Sequence, residues 1–291
     1  MNLEKILILW FCFLTSGVRA QSIVPLTILE EGHLVVKVSI NDVPGNFIVD
    51  TGGGITVLSK NFASKLTPLK KQDGNFTGFR ATGEKMTLDL YTVDQLSMGS
   101  FIEKSSTVAI VDFNGGPIDG IISLPVFAHQ PFTFDLEKKE LQLESKQSLA
   151  KRKKEGQTVP LQLELNRDKA LDVFAYFVIN GKMVLQFCLD SGAGNDVFRI
   201  NPRYMASLGI DSTDNSLVRK TLHPSETNPK IKTTIYHAKI STLSVNNFPS
   251  VKKENFNASF VDGLIYDGVV SINWLGKQIT FDLEKSEMIV R

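Results

Sequence analysis

The chain contains two versions of one pattern, and that repetition restricts its fold more than any other feature. Residues 47–54 read Phe47-Ile-Val-Asp50-Thr51-Gly52-Gly53-Gly54, and residues 187–194 read Phe187-Cys-Leu-Asp190-Ser191-Gly192-Ala193-Gly194. An Ile-Asn pair precedes each, Ile40-Asn41 and Ile179-Asn180. Leu96-Ser-Met-Gly-Ser-Phe101 is answered by Leu243-Ser-Val-Asn-Asn-Phe248, and Asp119-Gly-Ile-Ile-Ser123 by Asp267-Gly-Val-Val-Ser271. The halves close on Phe132-Thr-Phe-Asp-Leu-Glu-Lys138 and Ile279-Thr-Phe-Asp-Leu-Glu-Lys285. From Asp50 to Asp119 is 69 residues, and from Asp190 to Asp267 is 77. Five landmarks in one order define a duplicated unit of roughly 125 residues, hence two lobes in one chain. The expected division is a leader at 1–20, a first lobe at 21–147, a linker at 148–157 and a second lobe at 158–291.

The local pattern is mostly strand. Leu34, Val36, Val38 and Ile40 alternate with Lys37 and Ser39, as in a half-buried strand. Residues 87–93 and 231–245 are rich in β-branched residues and leucine. Met98-Gly99 and Asn246-Asn247 fit hairpin turns. Short helices are expected at 59–66 and 201–208, the second with Asn201-Pro202 as its start and Gly209 as its stop. The fold class is therefore all-β with short helices. With 42% apolar and 22% charged residues in 291, the composition supports a sizeable core and excludes disorder or coiled coil for the whole chain.

Residues 1–20 read as a secretory signal: Lys5, then the apolar run 6–14, then Val18-Arg19-Ala20 as a small-residue cleavage site. The run is too short to span roughly 30 Å of hydrocarbon. The mature chain is expected to be exported, secreted or periplasmic, without stable membrane insertion. No cleavable prosegment is evident. Beyond residue 20 the basic and acidic side chains balance at 30 each (32 less Lys5 and Arg19, 31 less Glu4), which leaves no electrostatic footprint for nucleic acid. The basic run Lys151-Arg-Lys-Lys154 reads as a solvated linker, being short of the usual binding cluster. Of the two cysteines, Cys12 lies in the leader, so no disulfide can staple the mature fold. Cys188 shares a strand face with Asp190 and reads as a buried small hydrophobe rather than a nucleophile.

The chemistry lies in the two Asp-hydroxyl-Gly triplets. An apolar strand aims each carboxylate, and the Gly permits a tight turn and close backbone approach. One triplet is a weak signal, because Asp and Gly are common turn residues. Two at equivalent points of a duplicated β unit are stronger: a pseudo-two-fold axis would set Asp50 against Asp190. Carboxylates about 3 Å apart share one proton. One can then act as general base on a water while the other protonates a carbonyl oxygen.

On these residues the sequence resembles the aspartic peptidases, of both the two-lobed pepsin type and the single-lobed retroviral (retropepsin) type, over most of residues 30–291. The resemblance implies a bilobal acid-protease-like fold of duplicated β-barrel lobes. Asp50 and Asp190 would be the catalytic pair, with Thr51, Gly52, Ser191 and Gly192 locking the two loops. It implies a peptide or protein substrate, a dyad complete within one chain and hence a monomer, and neither cofactor nor metal. The family's second motif, two apolar residues and Gly usually after Asp-Gly, matches Asp119–Ser123 and Asp267–Ser271, except that Ser replaces the last Gly. That Ser tightens or polarises the packing beside the catalytic loop. Gly53 and Ala193 stand where pepsin-type loops carry a hydroxyl, so the dyad should be less acidic than theirs, with a mildly acidic to neutral optimum.

The candidate flap over the cleft is residues 77–84, with Gly78, Phe79, Arg80 and Gly83. Its counterpart, residues 220–230 with Pro224 and Pro229, is either a second flap or a plain surface loop. His33, His129, His223 and His237 lack metal-ligand spacing and read as loop or surface residues. Asp135 and Asp282 read as exposed turn or edge carboxylates. Asn75 and Asn257 begin glycosylation sequons, which matter only in a eukaryotic secretory pathway. The expected function is an aspartic endopeptidase. The alternatives are an inactive peptide-binding module of the same fold and a processing enzyme confined to one partner.

Overall fold

A computed structural model describes residues 21–113, 115–225 and 230–291. The leader, including Lys5, Cys12 and Ala20, lies outside the described residues, as does Pro229 of the second candidate flap. The first half supplies β1 (Ser22–Ile28), β2 (Leu34–Ile40), β3 (Val43–Asp50), β4 (Val57–Ser59), β5 (Lys70–Phe79), β6 (Lys85–Met98), β7 (Phe101–Val111), β8 (Gly120–Ser123), β9 (Phe132–Asp135) and β10 (Glu140–Leu143). The second supplies β11 (Gln157–Pro160), β12 (Gln162–Asn166), β13 (Ala170–Ile179), β14 (Met183–Asp190), β15 (Phe198–Ile200), β16 (Arg219–Pro224), β17 (Lys232–Val245), β18 (Phe248–Val261), β19 (Gly268–Ser271), β20 (Gln278–Asp282) and β21 (Glu287–Val290).

Strand for strand, the halves repeat one barrel. The order β1-β2-β3-β8-β4-β7-β6-β5 in the first lobe equals β12-β13-β14-β19-β15-β18-β17-β16 in the second. Each sheet closes on itself by a further pairing, β2 with β6 and β13 with β17. Alternation drives the burial: Leu34, Val36, Val38 and Ile40 of β2 enter the core, while Lys37 is exposed. The fold is all-β, as the strand pattern implied, and its two barrel-like lobes fit the acid-protease-like architecture that the resemblance implied.

A six-stranded sheet ties the lobes together, in the order β11-β21-β20-β9-β10-β1. Its centre is the repeated heptapeptide paired with its own copy: Phe132 lies opposite Phe281, and Phe134 opposite Ile279. The rings of Phe132 and Phe281 stack with centroids 5.3 Å apart. Thr133 and Thr280 meet across the strands at 2.7 Å between hydroxyls. Burying these apolar side chains contributes roughly 1.5–3 kcal/mol each, so the lobe interface is itself a core.

Several expectations need correction here. The basic run is not a loose linker but part of helix α2 (Lys146–Glu155), the second helix after the four-residue α1 (Lys60–Ala63). Ser145 caps α2 reciprocally with Ser148, and the residues that follow are good helix formers. Arg152 Nε donates to the buried Glu144 at 3.0 Å, and Lys153 donates to Asp282 at 2.9 Å and Glu287 at 2.6 Å. Asp135 and Asp282 are buried, at 0% and 2% exposure, because their turns need acceptors there. Asp135 accepts from the Lys138 amide and from Gln278 Nε2. Asp282 accepts from Lys153 and the Lys285 amide. The segment 201–208 forms two short 3-10 turns rather than one helix. His33 and His237 are half-buried, the latter within β17, whereas His129 and His223 are exposed. Among the described residues no helix is long and apolar enough to cross a membrane.

Candidate active site

Asp50 ends β3 and Asp190 ends β14, so each carboxylate stands at the tip of a buried strand. Each strand runs parallel to the second-motif strand, with Asp50 opposite Ser123 and Asp190 opposite Ser271. The two loops interlock symmetrically. Thr51 N donates to Ser191 Oγ at 2.9 Å, and Ser191 N donates to Thr51 Oγ1 at 3.0 Å. Thr51 Oγ1 donates to the Leu189 carbonyl at 2.6 Å, and Ser191 Oγ to the Val49 carbonyl at 2.7 Å. Both hydroxyl residues are fully buried, so every donor and acceptor of this knot is matched inside the protein.

The glycines are required by this approach. A Cβ on Gly52 would lie 2.8 Å from Asp190 Cγ, and one on Gly192 would lie 2.3 Å from Asp50 Cγ. Each lobe's glycine thus makes room for the other lobe's carboxyl. The two carboxyls are hydrogen-bonded to one another. Close packing, and then the Asp190 charge, raise the Asp50 pKa well above the ordinary carboxylate range. They do so despite the Gly52 amide, which donates to Asp50 Oδ1 at 2.9 Å. Asp190 is raised by burial too, but the Arg199 guanidinium and the bond from Asp50 favour its charged form. Both carboxyls are raised, so the pair as a unit keeps a proton above the ordinary carboxylate range. Asp190 Oδ1 is buried and has no hydrogen-bond partner.

The serines of the second motif are accommodated behind the loops. Ser123 Oγ meets Thr56 Oγ1 at 3.1 Å, and Ser271 Oγ accepts from the Val197 amide at 3.1 Å. Both hydroxyls polarise the loop packing, and among the described residues neither bonds to a carboxyl of the dyad. Cys188 is buried, and burial followed by the surrounding carboxylates pushes its thiol up, so it stays protonated.

Two hairpins, one from each lobe, come into contact. Gly78 and Phe79 end β5, and Arg80–Glu84 form the tip, closed by Arg80 N to the Glu84 carbonyl at 2.9 Å. The open alternative for residues 220–230 resolves in favour of a second hairpin, since β16 pairs with β17 from Arg219↔His237 to Pro224↔Lys232. The tips meet: Ser225 Oγ donates to Glu84 Oε2 at 2.5 Å. The first tip also rests on the second lobe, where Ile265 N donates to the Ala81 carbonyl at 2.9 Å.

Sequence reasoning missed three residues. Asp172 continues the β13–β14 register to a place opposite Asp190, two residues past the Phe174↔Cys188 pair. Burial and the nearby Glu164 carboxylate raise its pKa to about 6. Tyr266, edge-on to Phe174 at 5.2 Å, sits beside it. Arg199 lies between two core residues, Phe198 and Ile200, and so faces away from the core, on the sheet face that carries Asp190. Only the alternation in Phe-Arg-Ile could have found it.

A family likeness covers part of the first lobe. Residues 36–126 match the family described as aspartyl protease. No curated protein matches the chain. The match runs from β2 to the turn after β8 and includes Asp50, Thr51 and Gly52, while the second lobe repeats its strand order. The match supports an aspartic peptidase of the pepsin-like clan, and each lobe carries one Asp-hydroxyl-Gly loop.

Proposed function

We propose that the protein is an aspartic endopeptidase that hydrolyses peptide bonds with a water activated between Asp50 and Asp190. The observation that carries this reading is the carboxyl pair, held together by reciprocal Thr51 and Ser191 bonds and raised as a pair so that it keeps a proton. Asp190 takes a proton from the water as its oxygen attacks the carbonyl carbon, and Asp50 gives its proton to the carbonyl oxygen. The tetrahedral intermediate then collapses. The C–N bond breaks, the amine leaves with the proton from Asp190, and Asp50 recovers its own from the hydroxyl. The flaps hold the peptide extended and exclude water other than the nucleophile. Both carboxylates come from one chain, which supports a monomer as the working unit. The leader-like residues 1–20 support export, to the cell exterior or the periplasm.

The test is cleavage of a diverse peptide mixture from about pH 3 to pH 8, read by mass spectrometry, against Asp190→Asn made identically. Cuts in the native protein alone are expected. Identical, uncut mixtures from two folded proteins would overturn the reading in favour of a peptide-binding module.

A further inference from the structure

The strand registers allow the two lobes to be compared position by position around the dyad. Val57 of β4 lies opposite Ile121, two residues before Ser123; Arg199 of β15 lies opposite Val269, two residues before Ser271. Arg199 is therefore the second lobe's Val57. On the neighbouring strands, Val57 pairs with Ala109 and Arg199 with Ser259. Ala109 in turn pairs with Leu90, and Ser259 with His237. One strand further out, Phe76 of the first lobe corresponds to Thr221 of the second.

The first set is a small apolar cluster under the first flap, made of Phe76, Leu90, Ala109 and Val57 with Ile55. The second set is polar at Arg199, Ser259, His237 and Thr221, with apolar Ile235 opposite Thr221. Thr221 Oγ1 is 2.9 Å from His237 Nε2, and Ser259 Oγ is 3.3 Å from His237 Nδ1. Both ring nitrogens of His237 are thus engaged. Burial, then Arg219 and His223, hold its pKa down, so the ring is a neutral strut rather than a charge. Arg199 is the cation of this face that acts on Asp190, while Arg219, opposite His237 on β16, is a second and exposed one. Arg199 is half-buried, and among the described residues its guanidinium makes no ion pair and no hydrogen bond. A guanidinium partly withdrawn from water with no acceptor is costly, and its planar fork matches a carboxylate in two parallel bonds.

We propose that the pocket floored by Arg199 is a specificity subsite that takes a substrate side-chain carboxylate, Asp or Glu, while the corresponding first-lobe pocket takes an apolar side chain. This deepens the peptidase reading and rests on it. Ser259 and Thr221 supply hydroxyls on this face, and Val269, opposite Arg199, gives it an apolar wall. Asp172 and Asp190 lie on the same sheet face across β14, so Arg199 is the charge that lets an acidic side chain approach at all. Replacing it by Glu would leave Arg219, on the outer strand, as the cation of that face.

The experiment profiles cuts in a peptide mixture, then compares a good substrate with its Glu→Gln isostere, each with an amidated C-terminus. The enzymes are the native protein, Arg199→Gln, Arg199→Glu and Asp190→Asn. The expected results are enrichment of Asp and Glu at one position, and a kcat/KM preference for Glu over Gln of about tenfold or more, carried mostly in KM. Arg199→Gln should erase that preference, and Arg199→Glu should shift it toward Lys or Arg. If Arg199 served only to bias Asp190, both peptides would lose rate equally and the Glu preference would survive in Arg199→Gln, which overturns the subsite. Asp190-dependent cuts without acidic enrichment would overturn the subsite and leave the peptidase reading standing. The absence of Asp190-dependent cuts would remove both. If only peptides with a free C-terminus were favoured, the recognised carboxylate would be the chain end, and the side-chain assignment would fall.

Discussion

Gly192 of the second lobe lies against Asp50 of the first so closely that a Cβ would come within 2.3 Å of the carboxyl carbon. The two lobes are thus fitted to each other at the reacting atoms, and neither loop can change shape alone. Gly192→Ala must push Asp50 away from Asp190. The expected outcome is loss of at least about a hundredfold in kcat, since misplacement of about 1 Å costs that much. Steady-state kinetics beside a circular-dichroism melt checks it. Near-native activity in a folded variant would show that the loops can yield.

Asp50 makes stability depend on pH in a stated direction. Its folded pKa is raised, so above the ordinary carboxylate value of about 3.9 the unfolded chain ionises first and binds fewer protons. Stability from this group is therefore lost as pH climbs from that value toward the raised one. Asp50→Asn should melt higher than the native protein at pH 7, by about 2–4 °C for each kcal/mol relieved. The difference should vanish below the ordinary carboxylate range. Equal melting temperatures at both ends of that window would contradict the assignment.

The same shift sets the working range. The dyad works while it holds one proton, and a raised Asp50 extends that state upward in pH. The kcat/KM profile should peak in the mildly acidic to neutral range, and a peak near about pH 2 would sink the idea.

The Thr51–Ser191 knot couples loop geometry to the joining of the lobes. Thr51→Ala leaves the Ser191 amide without its buried acceptor, at a cost of about 1–3 kcal/mol. Ser191→Ala does the same to the Thr51 amide. Because the bonds are reciprocal, the double variant should cost less than the sum of the single ones. Denaturant unfolding of the four proteins gives that interaction energy. Simple additivity would mean that the two hydroxyls act independently.

Arg152 is the anchor of the joining helix. Its partner Glu144 has a fully buried side chain, so Arg152→Ala leaves an uncompensated charge beneath α2. The expected loss is about 3 kcal/mol, against less than about 1 kcal/mol for Lys151→Ala, whose pair with Glu155 is exposed. Chemical denaturation should separate the two variants clearly.

Much of this was legible in the amino-acid sequence, for a physical reason. The motifs carrying Asp50 and Asp190 need unusual backbone room and buried hydroxyls, and such needs leave unusual residue strings. The strands were legible where one face is wet, as in β2, because alternation then marks the inside. Helix α2 escaped notice because its polar residues, Arg152 and Lys153 among them, point at buried acids that are distant in sequence. Asp135 and Asp282 misled for the same reason, since a carboxylate in a turn looks exposed until the backbone amides it accepts from are known. Arg199 was hidden in a three-residue strand, too short for a period to show.

The join between the halves has an evolutionary consequence. The central strands of the shared sheet are two copies of one heptapeptide lying side by side, the arrangement that two identical subunits would make about a two-fold axis. In such a homodimer every substitution appears twice, and the cleft reads a peptide equally well from either end. Tethered in one chain, Val57 and Arg199 could diverge at matching positions. The tether converts a palindromic groove into one with a left and a right, in which a bound peptide has only one productive orientation.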